Sequence, residues 1–215
     1  MRKLSKYYRE DSVEDIEPDL LVYLEENYLK KLPNLDASNP KLLVVFSGGS
    51  GVGKSTLSRK ISDELSGLVL ENDAIKYLIM QYLIGIKRED LNKQTWNYSM
   101  YLYKHLSEIT NNGLVVRDGV IDWYFDRIVP IFIQNDYELF IVAYDLSRKR
   151  REELLRKRGD KATVTAERLI EIMDDQDIHS ARFRDHYKPD IILNDETAFN
   201  HELVIKSLHE KLNIY

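Results

Sequence analysis

The 215-residue chain has no cysteine, which excludes disulfide bonds, thiolate nucleophiles and zinc held by cysteines. It also has no apolar run long enough to cross a bilayer. Its first ten residues are basic and polar and lack the apolar centre of a signal peptide. Together these absences predict a cytoplasmic protein.

The chain has no excess of positive charge either, because its formal net charge is −5. This argues against general electrostatic binding to nucleic acid or to an anionic membrane. The histidines show no metal-ligand spacing and suggest no metal centre. Hydrophobic residues make up 43% of the chain, enough for one α/β domain with a sizeable core.

The first forty residues differ in pattern from the rest. Pro18 marks a helix start, and apolar residues recur after it at helical spacing at Leu20, Leu24 and Tyr28. We therefore predict an N-terminal helical extension and linker over 1–40, with a larger domain over 41–215. The extension is a candidate surface for docking a partner protein.

From residue 41 onwards, short apolar runs alternate with helical segments. The runs begin near Leu42, Leu68, Leu114, Leu139 and Asp190. The helices between and after them are predicted over 54–65, 74–84, 95–110, a stretch containing Trp123, 147–158, 165–178 and 198–212. Five such strands predict a mostly parallel sheet with helices on both faces.

The first apolar run leads into a glycine-rich segment that carries the strongest functional signal. It matches G-x-x-x-x-G-K-S between a predicted strand and a predicted helix, through Gly48, Gly49, Ser50, Gly51, Val52, Gly53, Lys54 and Ser55, with Thr56 next. Glycines let backbone amides converge on phosphate oxygens, and the helix start adds its positive end. Lys54 is then placed to reach the β and γ phosphates, and the Ser55 hydroxyl to bind Mg²⁺.

Several classes of phosphate-loop protein lack support in this sequence. Asn92-Lys93 continues with Gln-Thr and cannot read guanine as an Asn-Lys-x-Asp motif would. Leu65-Ser-Gly-Leu does not supply the Leu-Ser-Gly-Gly-Gln signature of ABC-type ATPases. No predicted strand ends in the acidic pair of AAA+ ATPases.

Four further segments carry polar residues at the ends of predicted strands. They are Leu70 to Lys76 around Asp73, the pair Asp118-Gly119, the arginine-rich stretch from Ser147 to Asp160, and Tyr187 to Asp195. With the loop, they resemble the compact P-loop small-molecule kinases, namely the zeta-toxin-like, gluconate-kinase-like and polynucleotide-kinase-like enzymes. The resemblance covers roughly 41–196. It implies a three-layer fold with strand order 2-3-1-4-5, ATP and Mg²⁺ as cofactors, and a small-molecule acceptor.

The resemblance also implies roles for individual residues on the acceptor side. Asp73 would orient the acceptor hydroxyl and take its proton, with Lys76 beside it; the alternative is that Asp73 only caps a helix. Asp118 would hold the Mg²⁺ water shell or the acceptor, against the alternative of a simple Asp-Gly turn. Asp122 and Arg127 follow, where the related kinases place further acceptor contacts.

A lid over about 148–165 is the last implied part, similar to that of guanylate-kinase-type enzymes. Arg158 is the first choice for the arginine that neutralises the transferring phosphoryl group, with Arg151 and Arg168 behind it. The alternative is a solvated basic helix paired with glutamates at i,i+4 spacing. Gly159 is a candidate hinge, and Asn194 with Asp195 would lie beside the adenine unless they form a surface turn.

Two questions stay open at the level of sequence. The aromatic residues Trp96, Tyr98, Tyr101 and Tyr103 favour core packing over an acceptor platform. The function favoured is transfer of the γ-phosphoryl of Mg·ATP to a small molecule. A nucleotide-dependent switch with little kinase activity, or a toxin-like kinase, is the alternative.

Overall fold

The computed structural model describes residues 16–33, 40–109, 113–160 and 164–212. The strands are β1 Leu42–Ser47, β2 Leu68–Glu71, β3 Leu114–Val120, β4 Glu138–Asp145 and β5 Ile191–Asn194. The helices are α1 Pro18–Asn27, α2 Lys54–Leu65, α3 Asn72–Tyr82, α4 Arg88–Ile109, α5 Phe125–Ile133, α6 Arg148–Arg158, α7 Ala166–Glu171, α8 Met173–Tyr187 and α9 His201–Leu212, with a 3-10 helix at Leu29–Lys31. Over these ranges the structure has no helix with the length and apolar character needed to cross a membrane.

The five strands form one parallel sheet in the order β2-β3-β1-β4-β5. β1 lies at its centre because all six of its residues are buried, five of them apolar. The strand order and the helices on both faces confirm the predicted three-layer fold. Since all strands run the same way, the loops after β1, β2, β3 and β4 meet at one edge of the sheet.

Two apolar layers cover the two faces of the sheet. Leu43 and Val45 of β1 face a layer that contains side chains of α1, α3, α4 and α5, whereas Val44 and Phe46 face α2 and α9. Helix α1 contributes Leu20, Leu24 and Tyr28 to the first layer, as its spacing predicts. The division of the chain at residue 40 stays a prediction, and residues 1–15 and 34–39 lie outside the described residues.

Three local expectations are wrong. The helix predicted over 165–178 is two helices, because the backbone leaves helical geometry at Ile172. Asp118-Gly119 is not a turn, since pairing with β2 carries β3 through Asp118. Trp123 lies half-buried in the turn before α5 rather than within a helix. Residue 110 at the predicted helix end and residues 161–163 of the predicted lid lie outside the described residues.

Candidate functional site

The glycine-rich segment forms a tight loop between β1 and α2. Gly48 has φ +119°, and a Cβ there would lie 2.9 Å from the Cβ of Tyr144. Gly51 has φ +84° and lies against Leu155, where an added Cβ would come within 2.6 Å of Cγ. Both positions therefore require glycine on conformational and steric grounds. Helix α2 begins at Lys54 without a side-chain cap on its first amides.

Lys54 is buried inside this loop, with 8% of its side chain exposed. Its ammonium donates to the carbonyl oxygens of Gly48 at 2.8 Å and Gly49 at 2.5 Å. Burial lowers the pKa of Lys54 to about 8, although Asp118 and Asp122 act in the opposite direction. The loop thus concentrates uncapped amides and a desolvated cation at one point, an arrangement that fits a phosphate chain.

Oxygen donors suited to Mg²⁺ lie at the same edge of the sheet. Ser55 opens α2 behind Lys54, and Asp118 stands in β3 opposite Glu71 of β2. Over the described ranges, the structure contains no group of three or more acidic or histidine side chains arranged to hold a metal by themselves. A hydroxyl and isolated carboxylates fit an ion that arrives with a nucleotide and keeps several water ligands.

Asp122 reaches the phosphate loop, whereas the resemblance implies only an acceptor contact for it. It lies in the turn between β3 and α5. Its Oδ2 accepts hydrogen bonds from the Gly48 amide at 3.3 Å and from the Ser180 hydroxyl, while its buried Oδ1 has no hydrogen-bond partner. The signal in the sequence is a carboxylate placed just after a buried strand that ends beside the loop.

The two leading lid arginines have very different surroundings. Arg151 is 2% exposed, forms an ion pair with Asp177 and lies against Gly49, where an added Cβ would be 2.0 Å from its Nη2. Burial, followed by the charge of Arg148, lowers the pKa of Arg151 to about 10. Arg158 is exposed at the end of α6, and its Nε donates to the carbonyl of Gly159 at 3.5 Å. Arg168 is exposed as well and pairs with Glu171.

Helix α8 contacts the loop through residues that sequence reasoning did not single out. Gln176 Oε1 accepts from the Ser50 amide and from Arg151 Nη2, both at 2.9 Å. Ser180, one turn further on, donates to Asp122. Near its other end, Arg184 bonds Asp145 at 2.7 Å. The sequence shows only that Gln176 and Ser180 are spaced i,i+4 and therefore share one face of α8; it does not show that this face is buried.

The predicted acceptor residues lie around the starts of α3 and α5. Asp73 is exposed in the first turn of α3, whose N-cap is Glu71, so the alternative of Asp73 as the N-cap is wrong. Burial lowers the pKa of Lys76, against the influence of Asp73. The Arg127 guanidinium lies 5.3 Å from the centre of the Trp96 ring, which packs on Tyr124.

The aromatic residues of α4 pack in or against the first apolar layer, to different depths. Tyr98 and Tyr103 are fully buried in the first apolar layer, which confirms the core prediction for them. Trp96 and Tyr101 are partly buried and pack against the same layer, and Trp96 also lies against Arg127. Arg117, which sequence reasoning missed inside a strand, is 1% exposed and donates to the Val120 carbonyl at 3.0 Å.

A cleft of about 440 Å³ lies at the carboxyl ends of β4 and β5, lined by Asp145, Leu146, Ser147, Asn194, Asp195 and Glu196. The Asn194 side chain closes its own turn by accepting from the amides of Glu196 and Thr197. Asp195 accepts from the Ser147 amide at 2.8 Å. Close by, the Arg150 guanidinium lies 5.3 Å from the centre of the half-exposed Phe199 ring.

Comparison with known proteins identifies the fold. No protein-family model and no curated protein sequence matches the chain. Among solved structures, the chain is similar to a protein from Chloroflexus aurantiacus for which a kinase activity has been suggested. The TM-score is 0.57 and the identity 16%, and the match covers 81% of this chain and 97% of the other. A structure of the PezAT toxin-antitoxin system of Streptococcus pneumoniae matches with TM-score 0.57, 17% identity, and 85% and 79% coverage.

Shikimate kinase from Bacteroides thetaiotaomicron is also similar, with TM-score 0.51, 15% identity, and coverage of 80% of this chain and 98% of that one. At these identities the likeness is one of fold. The chain therefore has the three-layer α/β fold of P-loop kinases, in agreement with its strand order.

Proposed function

We propose that this chain is an ATP-dependent phosphotransferase that moves the γ-phosphoryl group of Mg·ATP to a hydroxyl or phosphate group of a small-molecule acceptor. The observation that carries the proposal is the Lys54 ammonium, buried and bonded to two loop carbonyls at the uncapped start of α2. A buried cation next to the uncapped amides of a helix start is the arrangement that binds a phosphate group.

The base of the nucleotide is proposed to occupy the cleft after β4 and β5. Arg150 and Phe199 offer a cationic and an aromatic surface at its side. Both can stack on a purine, since a flat guanidinium and a ring each present a face. Because the chain has no guanine-reading motif, we favour ATP over GTP.

The side chains predicted to form the site are assigned the following roles in this proposal. Lys54 and the loop amides would hold the β and γ phosphates, and Ser55 with Asp118 would hold Mg²⁺ or its water shell. When bound, the ion neutralises charge on the phosphates. Asp73 orients the acceptor and receives its proton, with Lys76 and Arg127 as further acceptor contacts.

Arg151 takes the role that the sequence first suggests for Arg158. It touches the loop at Gly49, whereas Arg158 ends α6 in solvent. A guanidinium fixed in a water-poor position stabilises the spread negative charge of phosphoryl transfer better than a mobile one. Arg158 would act only after a movement of the lid, for which Gly159 remains the proposed hinge.

The test is a screen of metabolite acceptors with γ-labelled ATP, together with ADP release measured with and without each acceptor. A kinase transfers label to at least one acceptor and releases ADP faster in its presence. A switch protein would bind ATP and show no acceptor-stimulated turnover. Lys54→Ala provides the control, because it should abolish transfer and leave the thermal unfolding transition cooperative.

A further inference from the structure

Gln176 is a buried amide to which the proposed function assigns no role. It is 4% exposed and stands in the first half of α8. Its Oε1 accepts from two donors at once, the Ser50 amide and Arg151 Nη2, each at 2.9 Å. Its Nε2 donates to the Ser50 hydroxyl at 3.3 Å. One side chain thus joins the loop backbone, a loop hydroxyl and the arginine of α6.

Gln176 also controls how freely Arg151 can move. The guanidinium has two anchors, Gln176 at Nη2 and Asp177 at Nη1, and its Nε is buried without a partner. Asp177 is 41% exposed, so water screens that ion pair. The bond to Gln176 lies between two buried groups, so it is a constraint on the guanidinium for which water does not compete.

A neutral amide suits this position better than a carboxylate would. Arg151 and Lys54 lie near each other, and the Arg151 charge is one of the influences that lower the pKa of Lys54. A carboxylate at residue 176 would neutralise part of this positive field, whereas an amide oxygen orients the guanidinium and leaves the net charge for an anion.

We propose that Gln176 is a positioning residue, which holds the Arg151 guanidinium against the phosphate loop so that the site distinguishes a nucleoside triphosphate from a diphosphate. The inference rests on the proposed function. It adds a residue of α8 to a site otherwise formed by the loop, the ends of β2 and β3, and α6.

The test uses the whole ligand-free protein and measures, by calorimetry, its affinities for Mg·ADP and for a non-hydrolysable Mg·ATP analogue. Relative to the wild type, Gln176→Met and Arg151→Met should each shift the ratio of the two affinities about tenfold towards ADP, the scale of one charge-assisted hydrogen bond. The double variant should shift it no further than Arg151→Met alone, because Gln176 acts through that arginine.

Gln134→Met, at an exposed position after α5, is the matched control and should leave the ratio unchanged. An unchanged ratio in Gln176→Met, or shifts that add in the double variant, would overturn the role of Gln176 while the proposed function stands. A wild-type protein that binds neither nucleotide would instead overturn the proposed function, and this role with it.

Should Gln176→Met not fold, Gln176→Glu keeps the shape and the acceptor oxygen. It should weaken binding of the triphosphate analogue more than binding of ADP, because it adds negative charge beside the loop. Equal weakening of both nucleotides would contradict the proposal.

Discussion

The phenolic oxygen of Tyr28 accepts a hydrogen bond from the backbone amide of Glu71 at 2.8 Å. This bond joins the segment that follows α1 to the end of β2, two residues before Asp73. Tyr28 also packs edge-to-face on Tyr98 of α4. The N-terminal helical segment therefore supports the part of the fold that carries the proposed acceptor site.

Tyr28→Phe should lower the free energy of unfolding by about 1–3 kcal/mol, because the Glu71 amide loses its acceptor in a buried place. Chemical denaturation would measure the change. Tyr82→Phe is the matched control, since the Tyr82 side chain is 38% exposed, and it should change stability by less than about 0.5 kcal/mol. Equal stability of Tyr28→Phe and the wild type would show that water replaces the lost bond.

Gly49→Ala should displace Arg151, because its methyl group would lie 2.0 Å from Arg151 Nη2 and 2.6 Å from Gln176 Oε1. We expect a lower melting temperature and at least a tenfold loss of phosphoryl transfer. Adding Arg151→Ala to this variant should restore part of the melting temperature, since the contact with Gln176 remains, but should not restore the transfer rate. A fully active Gly49→Ala protein would contradict the contact between loop and arginine.

Asp73→Asn should slow phosphoryl transfer by about 10²–10⁴-fold, the usual contribution of a positioned general base. Nucleotide affinity should stay unchanged, because Asp73 belongs to the acceptor side. Transfer kinetics and calorimetry together would separate the two effects. Asp63→Asn, at an exposed position of α2, is the control and should behave as the wild type. A loss of stability with normal transfer would leave Asp73 with a structural role only.

Nucleotide binding should involve proton uptake by Lys54 above its pKa of about 8. Bound phosphate favours the charged ammonium, so a neutral Lys54 takes up a proton on binding. Calorimetry at pH 8.5 in buffers of different ionisation enthalpy should show this uptake, and at pH 7, where Lys54 is already charged, the uptake should disappear. The same buffer dependence at both pH values would exclude Lys54 as its source.

The lowered pKa of Lys54 also makes the free energy of unfolding depend on pH. Between about pH 8 and 10.5 the unfolded chain binds more protons at this group than the folded chain does. The contribution of Lys54 to the free energy of unfolding therefore rises with pH across this window and is constant below it. Lys54→Met should remove that rise from a denaturation series.

Local sequence patterns predicted the sheet, the glycine-rich loop and the starts of α6 and α7 near Ser147 and Thr165. Ser147 and Thr165 do accept from the amides of Arg150 and Arg168, because capping involves only residues three positions apart. The contacts of Gln176 and Asp122 with the loop could not be predicted in this way. They depend on how α8 crosses the end of β1, which no short stretch of sequence determines.

The choice between Arg151 and Arg158 shows the same limit. Both lie in one basic helix, and the comparison with lid segments favours the arginine next to Gly159. Helical spacing offers a better guide, because Arg151 shares a face with Leu155, which packs against Gly51, while Arg156 and Lys157 are exposed. Burial of one face of α6 thus decides which guanidinium meets the loop.

The two attachments of α8 restrict where the fold can bend. Gln176 and Ser180 fasten its first half to the loop and to Asp122, and Arg184 fastens its second half to Asp145. Because both halves of α8 are bonded to the rest of the fold, the helix cannot tilt as a rigid unit without breaking one of these contacts. Any opening of the proposed nucleotide site is therefore expected to leave α8 in place against the end of β1.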